Sequence, residues 1–512
     1  MSSISDIRLQ LWVLGLIRAT EAIAWTSIFP YAYFMIQSFE VSEHDIAFYS
    51  GALIAAFTFG EFLTGVVWAR VCDKIGRKPT VLVGIFCGLV TALTLGLSRS
   101  VAVAIASRAF GGLFNPNVGL VQTCTGELAR KEQRAEAFSL VTFIRSLGNL
   151  IGPVLGGLLA DPVALYPSIF PQNSLWTSYP YLLPNLAVGL LQVLTFILAF
   201  LVLQETHPRM PGHPVTGLSV LQILKKLFIK RDLTKNATYA PLAEDSAGLE
   251  AQENAMEEHP LEDFQKEQGD GARTSSDSET FEADGPAKKL SDRTFTFQVI
   301  LQILAVSLLA FHKVASDSLM GTFLALESGG SDKPADGAAL RGISFPHSRV
   351  GFGFDTRMIG IIFFTEAIFR VAIQPTVIPW FISKLGALRA FRWVLGLYPA
   401  MYILTPFLPK IPSPFQFVLL LLDLWTKVAI SSVGSICSAV LITNTSPSSQ
   451  ALARINGAAA SFGCLARSVG PLLSGKLFAA GLQSGYLQIP FWTLGAVALV
   501  GAVESAFLLD HP

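Results

Sequence analysis

Apolar residues in this chain come in long runs separated by short polar stretches. Twelve runs are long enough to cross a bilayer, near residues 11–36, 48–69, 80–97, 101–123, 138–160, 181–203, 295–321, 356–382, 391–409, 413–442, 455–479 and 487–509. A helix needs about 20 mostly apolar residues to span the hydrocarbon core. Lipid offers no partner to open backbone, so each run is expected to be a helix. The alternating pattern of a membrane barrel is absent. The expected fold class is all-α and integral to the membrane, with six helices before a long polar interruption and six after it. The domains expected are a bundle over 1–203, a linker over 204–294 and a second bundle over 295–512.

The linker has two parts. "LSVLQILKKLFIKRDL" (218–233) is basic and amphipathic and is expected to form a short helix on the inner membrane surface. From Glu244 to Asp284 there are fourteen acids against two bases, with "TSSDSET" at 274–280. So little apolar surface cannot offset the entropy of ordering, so this part is expected to be disordered. Its serines and threonines suit a kinase; a plain tether between bundles is the alternative.

Composition and charge narrow the classes. Charged residues make up 14% of the chain, against about 25% in soluble domains. Formal net charge is zero, so nothing points to nucleic acid. The five cysteines have no CxxC or Cys/His spacing, so neither a disulfide framework nor a metal site is expected. No phosphate-binding G-x-x-x-x-G-K-[ST] loop and no clustered histidines occur, so neither an ATP-driven pump nor an enzyme is expected, and no cofactor is implied. The opening residues do not fit a cleaved signal peptide. Arg70, Lys74, Arg77 and Lys78 fall in one loop, and Arg130, Lys131 and Arg134 in another; the alternate loops hold only Arg99. By the positive-inside rule both termini face the cytosol.

Charges inside the runs form a pattern. Arg18 and Glu21 are three apart; Lys313/Asp317, Glu366/Arg370 and Asp423/Lys427 are four apart, with His312 beside Lys313. These offsets put opposite charges on one helix face. Pairing makes insertion tolerable but does not explain why charges are there, and intramembrane ionisable groups are usually functional. Glu61 has no partner in its own run and needs one from another helix, or a proton. Arg145 and Arg467 are expected to reach lipid headgroups or adjoining loops.

Several motifs carry a family resemblance. "GPVLGGLLA" (152–160) is repeated as "GPLLSGKLFA" (470–479), each in the fifth run of its half, which makes the halves pseudo-symmetric. The loop "WARVCDKIGRKP" (68–79), through Asp73, Lys74, Gly76, Arg77 and Lys78, resembles the signature of the major facilitator superfamily. Ala69 stands where that family usually has glycine. The matching "SKLGALR" (383–389) keeps the glycine but has Ser383 in place of the acid, which implies a weaker gate there. "GNLIGPVLGG" is similar to the motif of drug/proton antiporters, carried by Gly148, Gly152, Pro153, Gly156 and Gly157, with Gly470, Pro471 and Gly475 as the second copy. Small residues allow close packing, and proline removes a hydrogen bond. Simple packing is the alternative role. In "SRAFGGLFNP" (107–116), Arg108 with Gly111 and Gly112 resembles the family's fourth-span motif, where the arginine serves proton coupling; a snorkelling interfacial arginine is the alternative. "SIFPYAYFMIQSF" (27–39) and "ITNTSPSSQALARINGAAASFGCLARSVGPLLSG" (442–475) are similar to the zinc-induced-facilitator-like and fungal multidrug, twelve-span branch. The resemblance covers most of the chain outside 204–294 and 327–355.

The resemblance implies two six-helix bundles that alternate access to a central cavity lined by spans one, four, seven and ten. Arg18, Glu21, Arg108, His312, Lys313, Asp317, Asp423 and Lys427 become cavity candidates, with Glu61, Glu366 and Arg370 beside them. Glu21 and Asp317 are the expected titrating carboxylates. Lys313 departs from the branch pattern and points to a subgroup or an anionic substrate. Asp73, Arg77 and Glu127 are expected at a cytosolic gate, with Arg77 on Glu127 and Asp73 facing the start of span eleven. The function implied is proton-coupled antiport and export of a small organic solute at a plasma or vacuolar membrane. The alternative is a non-transporting receptor on the same fold.

Overall fold

A computed structural model describes residues 4–129, 133–172, 174–206, 295–326, 351–445 and 449–509. The expected amphipathic helix at 218–233, the acidic stretch and its kinase sites lie outside the described residues, as do Arg130 and Lys131.

The described chain is helical throughout. The first half contains α1 (Ile4–Thr26), short α2 (Ala32–Gln37), α3 (Glu43–Ile75), α4 (Arg77–Gly96), α5 (Val101–Leu113), α6 (Asn117–Leu128), α7 (Arg134–Leu159), short α8 (Pro162–Leu165) and α9 (Leu175–Ser178), and α10 (Leu182–Val202). The second contains α11 (Phe297–Ala325), α12 (Thr356–Ile373), α13 (Val377–Leu385), α14 (Ala387–Leu404), α15 (Phe415–Asn444), α16 (Ser449–Ser484) and α17 (Gln488–Ser505). Six of these are long and apolar enough to cross a membrane alone, and α12 with α13, bent by 54°, makes a seventh. The other five rods (α1, the pair α5 and α6, α14, α16 and α17) are shorter, broken or more polar, and follow the remaining runs of the sequence.

Prolines decide where the apolar runs break. The run over 11–36 does not stay one helix: α1 stops at Thr26, ahead of Pro30, which has no N–H to give and disfavours helix at the residue before it. Pro375 breaks α12 from α13 in the same way. At Pro116 the fourth span splits into α5 and α6. Asn117 N–H turns to the side chain of Asn115 at 3.3 Å, and the indole of Trp68 donates to the Leu113 carbonyl at 2.7 Å. The break is thus satisfied from within the bundle, and Asn115 is left pointing off the helix axis. The tight turns after α3 and α13 are made by Gly76 (φ 99°) and Gly386 (φ 76°), equivalent positions in the two halves that need the left-handed region.

The chain start and the turns at Gly76 and Gly386 share one end of the molecule, called here the near face; the loops at 37–43 and 160–181 are at the far face. The two halves meet along α3 with α16 and α7 with α12. The closest approaches fall toward the far face. A Cβ on Gly51 would lie 2.3 Å from the Pro471 carbonyl oxygen, and one on Gly157 would lie 2.7 Å from the Cα of Gly360. Toward the near face the halves part around a cavity of about 750 Å³, next to a groove of about 490 Å³ that reaches Asp73 and Arg77. The molecule is closed at the far face and open at the near one. Valine in place of Gly157 should force the α7–α12 seam apart, since overpacking a close contact costs about 1–3 kcal/mol. A cysteine placed at Phe29 should then be labelled several-fold faster by an impermeant maleimide added at the far face; an unchanged rate would contradict this account of the seam.

Candidate functional site

Six charges of the second half form three self-contained pairs. Lys313 meets Asp317 at 2.7 Å, Arg370 meets Glu366 at 3.1 Å, and Lys427 meets Asp423 at 2.7 Å. Each acid and base are one helical turn apart, so every pair stays together whatever the neighbouring helices do. Asp423 and Lys427 are further held by the hydroxyl of Thr405, and Lys427 lies 5.4 Å from the centre of the Tyr402 ring. Lys313, Asp317, Glu366, Arg370 and Lys427 line the large cavity; Asp423 lies behind Lys427. His312 does not line it. It is fully buried between Tyr398 and Tyr402, with Nδ1 3.0 Å from the Tyr402 hydroxyl. Adjacent helical residues point about 100° apart, so the neighbour of a cavity lysine turns inward.

The first half is built differently. Arg18 and Glu21 form an ion pair on α1. The amide of Asn115, freed by the break in the fourth span, donates to Glu21 at 2.8 Å and to Glu61 at 2.9 Å. One side chain thereby joins α1, α3 and the fourth span. The second oxygen of Glu61 lies 4.0 Å from Arg467, which comes from the other half. Arg145 lines the same space, beside Asn149, and has no acid within ion-pair distance among the described residues. Arg145 and Arg467 therefore stand in the central cavity and not at headgroups or loops. The cause is periodicity: each is three residues before a glycine (Gly148, Gly470) that packs on a neighbouring helix, so each shares that inward face. Around the cavity, Arg18, Arg145, Lys313, Arg370, Lys427 and Arg467 stand against Glu21, Glu61, Asp317, Glu366 and Asp423, an excess of one cation.

Arg108 is not an interfacial, snorkelling residue. It is 3% exposed inside the first bundle, its guanidinium 4.5 Å from the centre of the Phe57 ring and 5.5 Å from that of Trp25. It borders a small separate chamber rather than the large cavity. The glycine stripe of α7 packs on α1: a Cβ on Gly148 would lie 2.3 Å from the Ala19 carbonyl oxygen, one on Gly152 1.9 Å from the Thr26 hydroxyl, and one on Gly156 1.8 Å from the Ser27 carbonyl oxygen. Pro153 lines the large cavity beside this stripe. In the second copy, Gly470 packs on Phe311 of α11 and Gly475 on Ala47 of α3, while the Pro471 carbonyl meets Gly51.

At the near face Arg77 gathers a network. It donates to Asp73 at 2.7 Å and to Glu127 at 3.1 Å, while Glu205 accepts the backbone N–H groups of Arg77 and Lys78 at 2.8 and 3.1 Å. Asp73 thus turns to Arg77; the residues that lead into α16 lie outside the described residues. All these groups belong to the first half, so they brace its near end without bridging the halves. In the second half Ser383 donates to the Trp380 carbonyl of its own helix, at 2.9 Å. Among the described residues no group of His, Cys, Asp and Glu could hold a metal ion.

Asn115, Arg145, Arg467 and Glu205 were not among the residues the sequence singled out as site candidates. An asparagine before a mid-span proline was a readable sign for Asn115, and the three-residue offset from a packing glycine for the two arginines. Glu205 meets Arg77 across 128 positions of chain and left no local sign.

Comparison with known proteins bears on the whole chain. Residues 14–243 match the Major Facilitator Superfamily model. The chain is 34% identical over 515 residues to the "Major facilitator superfamily multidrug transporter mfsB" of Aspergillus fumigatus, covering 98% of this chain and 83% of that protein. It is 35% identical over 200 residues to "Protein ZINC INDUCED FACILITATOR-LIKE 1" of Arabidopsis thaliana, covering 39% of this chain and 42% of that one. Its fold matches the crystal structure of a D-xylose-proton symporter at a TM-score of 0.63 and 13% identity, over 100% of this chain and 99% of the other.

Replacing Asn115 with leucine should leave Glu21 and Glu61 without their shared donor. Losing hydrogen bonds to charged groups costs about 1.5–3 kcal/mol, so unfolding in detergent should begin at a distinctly lower temperature. An unchanged melting curve would mean the amide does not hold the cluster.

Proposed function

This chain belongs to the major facilitator superfamily, and we propose that it exports a small organic solute from the cytosol in exchange for protons, by alternating access. It is a multi-pass membrane protein of twelve spans and a transporter, not an enzyme. One observation carries the proton coupling. Glu21 and Glu61 share a single amide donor at the edge of the cavity, and the cation nearest Glu61, Arg467, belongs to the opposite half. A proton on Glu61 removes an attraction between the halves. Protonation then biases one access state over the other, as coupling requires. The ion pairs of the second half, each within one helix, give no such difference between states.

The cavity suits the solute class. Its volume of about 750 Å³ lies in the range of small-molecule sites, and Trp25, Phe29 and Phe363 supply apolar contact. Similarity to a multidrug transporter and to an efflux pump favours export. The lysines and arginines of the near-face loops favour a cytosolic near face, at a plasma or vacuolar membrane. A second reading rests on the cation excess. An organic anion that takes Arg467 leaves Glu61 for a proton, and solute and proton then travel together.

Proteoliposomes under an imposed pH gradient, tested with a broad solute panel, separate these readings. Exchange accumulates solute on the acidic side, and co-transport on the alkaline side. Glu21→Gln and Glu61→Gln should each abolish gradient-driven accumulation while solute exchange at equal pH persists. If no solute responds to a pH gradient, proton coupling is wrong.

A further inference from the structure

Arg108 carries a positive charge with no carboxylate beside it: its Nε reaches only the Leu53 carbonyl, at 3.4 Å. Its Nη2 has no partner among the described residues, and neither have Oδ1 of Asn117 and Oε1 of Gln192. The three side chains are 3%, 4% and 5% exposed. All three border one chamber of about 60 Å³ inside the first bundle, and Glu21 forms part of its wall. A buried polar atom left unmatched costs about 1–3 kcal/mol, and such atoms are rare. The chamber wall also carries Ile17, Ile85 and Val188, but three unmatched polar atoms around one space call for water. At about 15 Å³ of such volume per molecule, the chamber holds about four waters.

We propose that this chamber is a water-filled proton route between Glu21 and the far face, separate from the solute's path through the central cavity. Its wall on α4 runs from Gly84, near the middle of the span, to Leu95 at the far end. There Asn185 donates to the Tyr31 hydroxyl at 3.2 Å, and the Tyr31 ring stacks on Tyr181 at 5.5 Å, which closes the route in this far-side-closed state. The fixed charge of Arg108 makes a free hydronium in the chamber unfavourable, as an arginine does in water-selective pores. A proton therefore crosses only when an ionised Glu21 can receive it. The inference rests on proton-coupled transport, and exchange and co-transport could both use the route.

Gln192→Leu and Asn117→Leu dry the chamber and leave the central cavity untouched. Each should cut gradient-driven flux at least about tenfold, the effect of breaking a water-mediated link, while solute exchange at equal pH stays within about twofold. Tyr31→Phe should let protons leak into solute-free proteoliposomes. Hydroxyl radicals generated by X-rays from water in place should label Ile85 and Leu95 in the wild-type protein and not in the leucine variants. If those residues stay unlabelled, or if both leucine variants keep wild-type gradient-driven flux, the proposal is overturned. A labelled chamber in a wild-type protein with no response to a pH gradient would overturn the proton-coupled reading, and the proton route with it.

Discussion

An ionised group taken into a bilayer must find its compensation in the protein, since a lone charge at mid-span costs about 3 kcal/mol or more. The charged architecture of this molecule follows from that constraint, met in two ways. In the second half Asp317, Glu366 and Asp423 each have a base one turn away on the same helix, so these pairs travel with their helices. In the first half compensation crosses helices: Asn115 ties Glu21 to Glu61, and Arg467 approaches Glu61 from the other bundle. A pair within one helix is indifferent to how the bundles sit. A contact across helices is not, and it can report a proton as a change of shape.

The break at Pro116 makes this arrangement available. A continuous fourth span would keep Asn115 within the helical repeat; the missing N–H of proline frees the turn, Trp68 takes the stranded carbonyl, and the asparagine amide swings between two carboxylates. The same break admits Asn117 to the chamber beside Arg108. Glycine packing sets the contacts between the helices. The glycine stripe of α7 fixes it against α1, while Gly157 on Gly360 and Gly51 on Pro471 close only the far half of the seam. A movement of the bundles against each other would leave the charge pairs inside the second half intact, since each lies within one helix.

Much of this was legible in the sequence. Apolar run length gave the helices and their order, and the offsets of three and four gave every charge pair within a helix. The glycine turns at Gly76 and Gly386 could be read from the loop motif. What was hidden depends on contacts between distant residues. His312 looked like a cavity group because its neighbours are, yet a rotation of one residue puts it among tyrosines. Arg145 and Arg467 looked peripheral because they flank a packing motif, when sharing the face of that motif points them inward. Glu205, which holds the backbone of the Arg77 turn, has no local pattern at all. Periodicity assigns a residue to a face of its own helix; which neighbour covers that face is set by the packing of the whole bundle.

We place the bound proton in the cluster of Glu21, Asn115 and Glu61. Infrared difference spectroscopy of the purified protein across a pH titration tests this placement most directly, through the carbonyl stretch of a protonated carboxyl group. A titrating band is expected in the wild-type protein that is lost or displaced in Glu21→Gln or Glu61→Gln and is unaffected in Asp317→Asn. A band that survives in both glutamine variants and vanishes in Asp317→Asn would place the proton in the second half and contradict this placement.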